Sequence, residues 1–290
     1  MLYSKPVTEI IEKRFSCRTY IDKPIAEEDR ERLSDYLSAI GAGPFGAAVR
    51  FKLIAATDED RKALKGLGTY GFIKGATGFI VGAVGPSLKN LEDYGYMMEC
   101  AILSATDMGM GTCWLGGSFT RSRFAKKISA TVEELVPAVT SVGYILTKEQ
   151  SGVTTRQLVG GHNRRPWGNL FFREKFGIPL LPDEADPYAV PLEMVRIGPS
   201  ATNKQPWRII KDGDSWHFYM QRTRGYGNTL AFKLLNIADL QRVDMGIAMC
   251  HFEMTAGELG LKGKWDIKEP KIEKPTSLCE YTASWIGDFL

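Results

Sequence analysis

The chain has 290 residues, 44% hydrophobic and 24% charged, which is typical of globular proteins and sufficient for one or two domains. Its 37 basic and 34 acidic residues leave a formal charge of +3 without a run of five like charges, so the sequence predicts neither nucleic-acid nor membrane binding. The five cysteines form no CxxC pair and the N-terminus lacks an apolar signal core, so we expect reduced thiols in a cytoplasmic protein.

Apolar spacing predicts the elements of the first part of the chain. In chain order they are helices at 7–14 and 24–40, strands at 49–56 and 76–84, an apolar helix at 94–111 and a strand at 138–146. The stretch 147–163 is rich in Gly, Ser and Thr and is predicted to be a connection.

The second part repeats this order in shortened form. Its predicted elements are a helix at 185–196, strands at 207–211 and 215–220, an apolar helix at 235–260 and a strand at 282–288. When the chain is aligned with itself at the constant offset that places Asp93 on Asp244, six positions are identical. They are Asp93 and Asp244, Gly95 and Gly246, Met98 and Met249, Ala105 and Ala256, Gly109 and Gly260, and Trp114 and Trp265. We interpret this as an internal duplication. The halves, 1–170 and 171–290, would then form a fused dimer whose long apolar helices pack at a pseudo-twofold axis.

The segment RFSCR (14–18) follows the first predicted helix. If it is extended, Arg14, Ser16 and Arg18 project on one face while Phe15 and Cys17 point inward. Two guanidinium groups and a hydroxyl could hold a phosphate or another anion. The alternative is a solvated basic strand.

Arg164 and Arg165 stand directly before Pro166. Such a pair is often solvated or salt-bridged, but together with the first basic cluster it could complete a phosphate site.

The stretch GPSATNKQPW (198–207) is a polar turn that ends in Trp207, which we interpret as a buried anchor. The first part has GPFGAAVRFKLI (43–54) in its place, without the amide and hydroxyl side chains. The second part has nothing like RFSCR. Only one of two ancestral sites is therefore expected to remain.

The glycines of GMGTCWLGGSF (109–119) admit two interpretations. Gly116 and Gly117 would let a backbone approach a flat ligand, whereas Gly109 and Gly111 fit a helix end and turn. Cys113 is expected to pack rather than react.

Other motifs give no chemistry. GLGTYG (66–71) precedes a predicted strand, the reverse of a dinucleotide fingerprint, and is expected to be a loop. His162, His217 and His251 have no metal-ligand spacing, so no metal site is predicted. No GxSxG elbow occurs, and no catalytic side chain is predicted.

Taken together, RFSCRTY, GPSATNKQPW, GMGTCWLGG and the arginine pair resemble the nitroreductase family of FMN flavoproteins. The internally duplicated, single-chain branch called putative TM nitroreductase is the most similar, and the resemblance covers nearly the whole chain. It implies an α+β fold of mixed, mainly antiparallel sheets flanked by helices, in two pseudo-symmetric halves.

The resemblance also implies the site residues. RxSxR would hold the phosphate end and the pyrimidine side of FMN, and the polar loop would pack on the isoalloxazine ring. Leu115, Gly116 and Gly117 would lie beside flavin N5, and the arginine pair would lie at the phosphate. The implied cofactor-binding residues are Arg14, Phe15, Ser16, Arg18, Leu115, Gly116, Gly117, Arg164, Arg165, Pro199, Ser200, Ala201, Asn203 and Gln205.

The implied activity is an FMN-dependent oxidoreductase that takes hydride from NADH or NADPH and reduces a nitroaromatic, a quinone or a similar small acceptor. The chain departs from the family at Gly116, where many members have an acid, and at His162, where many have Lys or Arg. It also lacks the long insertion that covers the substrate pocket. A non-catalytic flavin carrier or sensor and a reductase of a dedicated metabolite therefore remain alternatives, in a monomer or weak homodimer.

Overall fold

The computed structural model describes residues 3–55, 69, 71–117, 119–145, 163–227 and 237–288. The helices in these ranges are α1 (Val7–Lys13), α2 (Glu27–Ala39), α3 (Asn90–Asp107), α4 (Arg121–Lys127), α5 (Ala189–Ile197) and α6 (Leu240–Glu258). The strands are β1 (Val49–Ala55), β2 (Gly78–Val84), β3 (Met110–Leu115), β4 (Val139–Tyr144), β5 (Phe171–Arg173), β6 (Trp207–Asp212), β7 (Ser215–Gln221), β8 (Gly263–Asp266) and β9 (Cys279–Gly287).

Two sheets of the same strand order form the frame of the molecule. The first has the order β1-β2-β4-β3 and the second β6-β7-β9-β8, and every pairing among these strands is antiparallel. In each sheet a long helix connects the second strand to the third in sequence: α3 joins β2 to β3, and α6 joins β7 to β8. The mixed α+β fold expected from the sequence is thereby confirmed.

Strand β5 lies at the edge of the second sheet, where it runs parallel to β6. In sequence it follows β4 of the first sheet. The described residues 163–170 directly precede β5 and contain the arginine pair. The chain thus leaves the first sheet and adds a strand to the second, which positions the arginine pair beside β6.

Helices α3 and α6 cross at two glycines. A Cβ on Gly95 would lie 2.2 Å from the Val243 carbonyl oxygen, and a Cβ on Gly246 would lie 2.0 Å from that of Glu92. Any side chain at either position would collide with backbone, so glycine is required for this close approach. The two contacts are reciprocal. Val243, which faces Gly95, and Glu92, which faces Gly246, each lie three residues before the glycine of their own helix.

The prediction of one helix over 94–111 was wrong at both ends. Helix α3 begins four residues earlier, at Asn90, and ends at Asp107, where Gly109 takes a φ of +81°. Residues Met110–Leu115 then form β3, a strand that the sequence analysis did not predict. Continuous apolar stretches fit a buried strand and a buried helix equally well, so their pattern does not separate the two.

Three further elements were missed, and two predicted segments lie almost wholly outside the described residues. β5 and β8 are too short to show a pattern, and α4 is a basic stretch with a single buried apolar side chain, Phe124. The connection predicted at 147–163 and the loop predicted at 66–71 lie almost wholly outside the described residues.

Apolar side chains from both sheets and from the two central helices fill the interior. Trp207 is fully buried at the start of β6, as expected of an anchor. All five cysteines are buried and unpaired by disulfides. Among the described helices, none is both long and apolar enough to cross a membrane.

Candidate functional site

The N-terminal segment 14–18 leaves α1 in extended conformation and runs beside β3. Arg14 directly follows the helix with ψ of 131°, and Ser16 forms a parallel bridge with Thr112. The Cys17 amide donates to the Thr112 carbonyl at 2.8 Å. Arg14 is only 8% exposed, so the interpretation of this residue as part of a solvated basic strand was wrong.

The guanidinium of Arg14 is buried with unmet hydrogen-bonding capacity. Its Nε lies 3.7 Å from Glu99 Oε1, and its Nη1 has no hydrogen-bond partner among the described residues. A buried cationic donor without a partner is costly, typically by about 1–3 kcal/mol or more. The arrangement therefore favours an anionic ligand at this position.

The polar loop 198–205 is folded tightly on itself. Thr202, Asn203 and Gln205 all have φ near +50°, a conformation that residues other than glycine rarely adopt. The Ser200 hydroxyl accepts from the Gln205 amide at 2.9 Å, and Asp244 of α6 accepts from the Ala201 amide at 2.9 Å. These bonds hold the strained backbone in place, and strain of this kind is concentrated at functional sites.

The arginine pair joins this loop directly. Arg164 donates to Asn203 Oδ1 at 2.9 Å and to the Ile197 carbonyl at 2.8 Å. The Arg165 amide donates to Gln205 Oε1 at 2.8 Å, while its guanidinium is exposed. The structure thus brings together two of the predicted groups, the loop and the arginine pair.

The glycine segment after β3 packs against the start of α6. A Cβ on Gly116 would lie 2.4 Å from Cδ1 of Leu240, whereas one on Gly117 would meet only Cδ1 of Ile237, at 3.5 Å. Gly116 is thus explained by close packing on a side chain. Gly117 is exposed and leaves more space, and Leu115 before it is buried.

Sequence reasoning missed the residues that connect these groups, Glu99 of α3 and His251 of α6. Both are fully buried. Glu99 accepts from Trp114 Nε1 at 2.7 Å, contacts Arg14, and lies 3.0 Å from His251 Nε2. Burial raises the pKa of the Glu99 carboxyl, but the hydrogen bond from His251 and the charge of Arg14 outweigh it, so the pKa lies below its usual value.

His251 links this cluster to the polar loop. A Cβ on Gly198, the first residue of the loop, would lie 3.3 Å from His251 Nδ1. The RFSCR segment and the polar loop are therefore connected through two buried side chains. The available signal in the sequence was a titratable residue within an otherwise apolar stretch of each long helix.

The site carries more basic than acidic side chains. Arg208 on β6 donates to the Gln205 and Trp207 carbonyls, and burial together with the charge of Arg165 lowers its pKa to about 10. No group of three or more potential metal ligands occurs among the described residues. The arrangement can bind an anion at Arg14, and Glu99 and His251 connect Arg14 to the polar loop.

Two mainly antiparallel sheets with four strands in the same order, flanked by helices and joined by a central helix pair, form a nitroreductase-like α+β fold. Residues 6–256 match the family described as Putative TM nitroreductase, and the chain belongs to that family. Among proteins with curated functions, none matches the chain.

Solved structures are similar to this chain over different lengths. A putative nitroreductase from Thermotoga maritima MSB8 is 21% identical with a TM-score of 0.61, and the match covers 97% of this chain and 94% of that one. A putative nitroreductase from Desulfovibrio desulfuricans, in complex with FMN, is 20% identical with a TM-score of 0.42, covering 57% and 95%. A nitroreductase with bound FMN from Bacteroides fragilis is 18% identical with a TM-score of 0.37, covering 50% and 91%. The first of these similarities establishes the fold.

Proposed function

We propose that the protein is an FMN-dependent oxidoreductase that takes hydride from NADH or NADPH and reduces a nitroaromatic, a quinone or a similar small acceptor. The observation that carries the proposal is the buried guanidinium of Arg14, whose Nη1 lacks a partner among the described residues. Such a donor fits the phosphate of FMN. Family membership supports the same assignment.

Each group of the site would have its own task. Arg14 and Ser16, with Arg164 and Arg165, would hold the phosphate end, and Arg18 would lie on the pyrimidine side. The loop residues Pro199, Ser200, Ala201, Asn203 and Gln205 would pack on the ring from one side, and Phe15 and Leu115–Gly117 would line the other parts of the site. When bound, FMN supplies the hydride-carrying chemistry, and the chain supplies position and charge.

We further propose that the chain is a duplicated, fused dimer with halves 1–170 and 171–290. The equal strand orders, the reciprocal glycine contacts and the crossing of β5 support it. So do Asp93 and Asp244: Asp93 accepts from the amides of the loop after Gly43-Pro44, and Asp244 accepts from the loop after Gly198-Pro199. One composite site would then combine the arginines of the first half with the polar loop of the second.

The decisive experiment is anaerobic titration of the FMN-loaded protein with NADH and with NADPH. Loss of the flavin absorbance near 450 nm, followed by its return when a quinone or nitroaromatic is added, is the expected result. Flavin that binds but is not bleached by either nucleotide would favour a carrier or sensor. Apo-protein that does not take up FMN would refute the flavin function altogether.

A further inference from the structure

The pair formed by Glu99 and His251 is the part of the site to which the proposed function gives no task. The two side chains come from different halves and are both fully buried. His251 Nε2 lies 3.0 Å from Glu99 Oε1, and His251 Nδ1 lies 2.9 Å from the Met194 carbonyl oxygen. Both ring nitrogens therefore face oxygen atoms.

These contacts define where the protons are. A carbonyl oxygen can only accept, so Nδ1 of His251 carries a proton. A second proton lies between Nε2 and Glu99. The hydrogen bond from His251 and the charge of Arg14 hold the pKa of the Glu99 carboxyl below its usual value, so Glu99 Oε1 accepts at this contact and Nε2 donates.

His251 competes with Arg14 for the same carboxylate oxygen. The 3.0 Å contact of His251 Nε2 with Oε1 is a hydrogen bond, whereas the 3.7 Å contact of Arg14 Nε is longer than one. The other oxygen, Oε2, accepts from Trp114 Nε1. Glu99 thus receives its hydrogen bonds from His251 and Trp114, while Arg14 Nε lies within ion-pair distance of Glu99 without a hydrogen bond to it.

The hydrogen-bond partners of Glu99 lead to the same result. Its two oxygens accept from His251 Nε2 and Trp114 Nε1, and neither is within hydrogen-bond distance of Arg14 Nε. Without His251, Oε1 would be left to accept from Arg14, and the guanidinium would be less available to an anion. The same imidazole also packs against Gly198, at the entry to the polar loop.

We propose that His251 is a positioning residue for anion binding: by engaging Glu99 across the two halves, it keeps the Arg14 guanidinium available for the phosphate of the cofactor. That the anion is FMN rests on the proposed function, whereas the availability of Arg14 for a phosphate group is independent of that function.

The test compares the affinities of apo-protein variants for FMN, riboflavin and inorganic phosphate. Flavin binding is followed by quenching of flavin fluorescence, and phosphate binding by its competition with FMN or by 31P NMR. In His251→Leu we expect FMN affinity to fall at least about tenfold, the scale of one charged hydrogen bond. Riboflavin, which has no phosphate, should bind as before. His251→Gln can still donate one N–H to Glu99 and should lose less FMN affinity than His251→Leu.

The matched control is Glu253→Gln. Glu253 lies two residues from His251 on α6 and also accepts from an indole, Trp265 Nε1, at 2.7 Å, but it does not contact Arg14. This variant should keep the preference of the parent protein for FMN over riboflavin. If it loses that preference as strongly as His251→Leu, general loosening of the helix is the cause and the proposal fails.

The outcomes separate this proposal from the proposed function. If phosphate binds and weakens in His251→Leu while no flavin binds, the flavin function fails and the positioning role stands. If a folded His251→Leu keeps its FMN preference, the positioning role fails and the flavin function stands. If the parent binds neither anion, both fail.

If His251→Leu does not fold, the unaltered protein provides the test. In long-range 15N NMR spectra of the histidine rings, the His251 signal, assigned with His251→Gln, should show a proton on Nε2, the nitrogen that faces Glu99. A ring without a proton on Nε2 would overturn the proposal.

Discussion

At the scale of single residues, the role of Arg14 is open to a direct test. Arg14→Ala removes the buried guanidinium but leaves Glu99 bonded to His251 and Trp114, so the protein should still fold. FMN affinity should fall at least about tenfold, because a charged hydrogen bond contributes about 1.5–3 kcal/mol. The measurement is the FMN retained after dialysis, read by absorbance.

The control for this change is Arg30→Ala. Arg30 contacts Glu27 at 3.5 Å on the surface of α2, and its loss should leave FMN retention unaltered. Equal retention by Arg14→Ala and the parent protein would show that the phosphate assignment is wrong.

Asp244 makes stability depend on pH. Its Oδ2 has no partner among the described residues, and burial raises the pKa of its carboxyl well above the usual value. The native state therefore keeps a proton that the unfolded chain releases near pH 4, so the free energy of unfolding falls as pH rises from about 4 toward the raised native pKa. The slope from one such proton reaches about 1.4 kcal/mol per pH unit.

Asp244→Asn keeps the shape and cannot lose a proton in this way. Urea unfolding should show a smaller slope of stability against pH between pH 5 and 8, and greater stability than the parent protein at pH 8. Asp35→Asn, which alters an exposed carboxyl on α2, should leave the slope as it is. A slope unchanged in Asp244→Asn would mean that Asp244 is already ionised in the native state.

Individual residues were only partly predictable from the sequence. The alternation in RFSCR correctly placed Cys17 inside, whereas Phe15, which was expected to point inward as well, is only half-buried. Trp207 was correctly expected to be buried. The burial of Arg14 was not foreseen, because its environment is formed by Glu99 and His251, which lie far away in sequence. Local patterns report periodicity and turn chemistry, and they do not report which distant charges meet.

At the scale of elements, the crossing of α3 and α6 controls whether the halves fit together. Gly246→Ala would place its Cβ 2.0 Å from the Glu92 carbonyl oxygen, a collision with backbone that only a shift of a helix can relieve. We expect a loss of at least about 2 kcal/mol in the free energy of unfolding, measured by urea denaturation.

Gly257→Ala, on the same helix, is the control, and it should raise the free energy of unfolding where Gly246→Ala lowers it. A Cβ there meets no atom within 4 Å, and alanine favours helix, so a gain of up to about 1 kcal/mol is expected. If Gly246→Ala and Gly257→Ala were equally stable, α3 and α6 could not approach each other as closely at Gly246 as the structure has them.

The order of elements was well predicted, whereas the short elements were not. Six strands were predicted close to their observed places, and both long helices were predicted to exist although the ends of α3 were wrong, because each of these elements carries many apolar residues. β3 was merged into the helix before it, and β5 has only three residues. Such strands form because a neighbouring strand supplies their hydrogen bonds: β3 pairs with β4, and β5 pairs with β6.

At the scale of the whole molecule, the two sheets share one strand order but contribute different parts of the site. The part of the chain that forms the first sheet contains Arg14, and the part that forms the second contains the polar loop at 198–205 and His251. The loop at 43–48 in the first half has no amide side chain, and Asp93 holds it as Asp244 holds its counterpart. If the chain arose by the proposed duplication, the backbone frame persisted after one copy lost its polar side chains, because the frame depends on glycines and buried carboxyl groups.

This asymmetry predicts the stoichiometry of cofactor binding. A fused dimer with one retained site should bind one FMN per chain of 32.3 kDa, because the second candidate position lacks both the arginines and the polar loop. Titration of apo-protein with FMN, followed by flavin fluorescence, should reach its end point at a ratio of one, and light scattering should give the mass of a single chain or of a weak dimer. In Arg14→Ala the tight binding should be lost without a second site appearing. An end point of two FMN per chain would show that both halves kept a site, and a tight large oligomer would show that duplication did not replace association between chains.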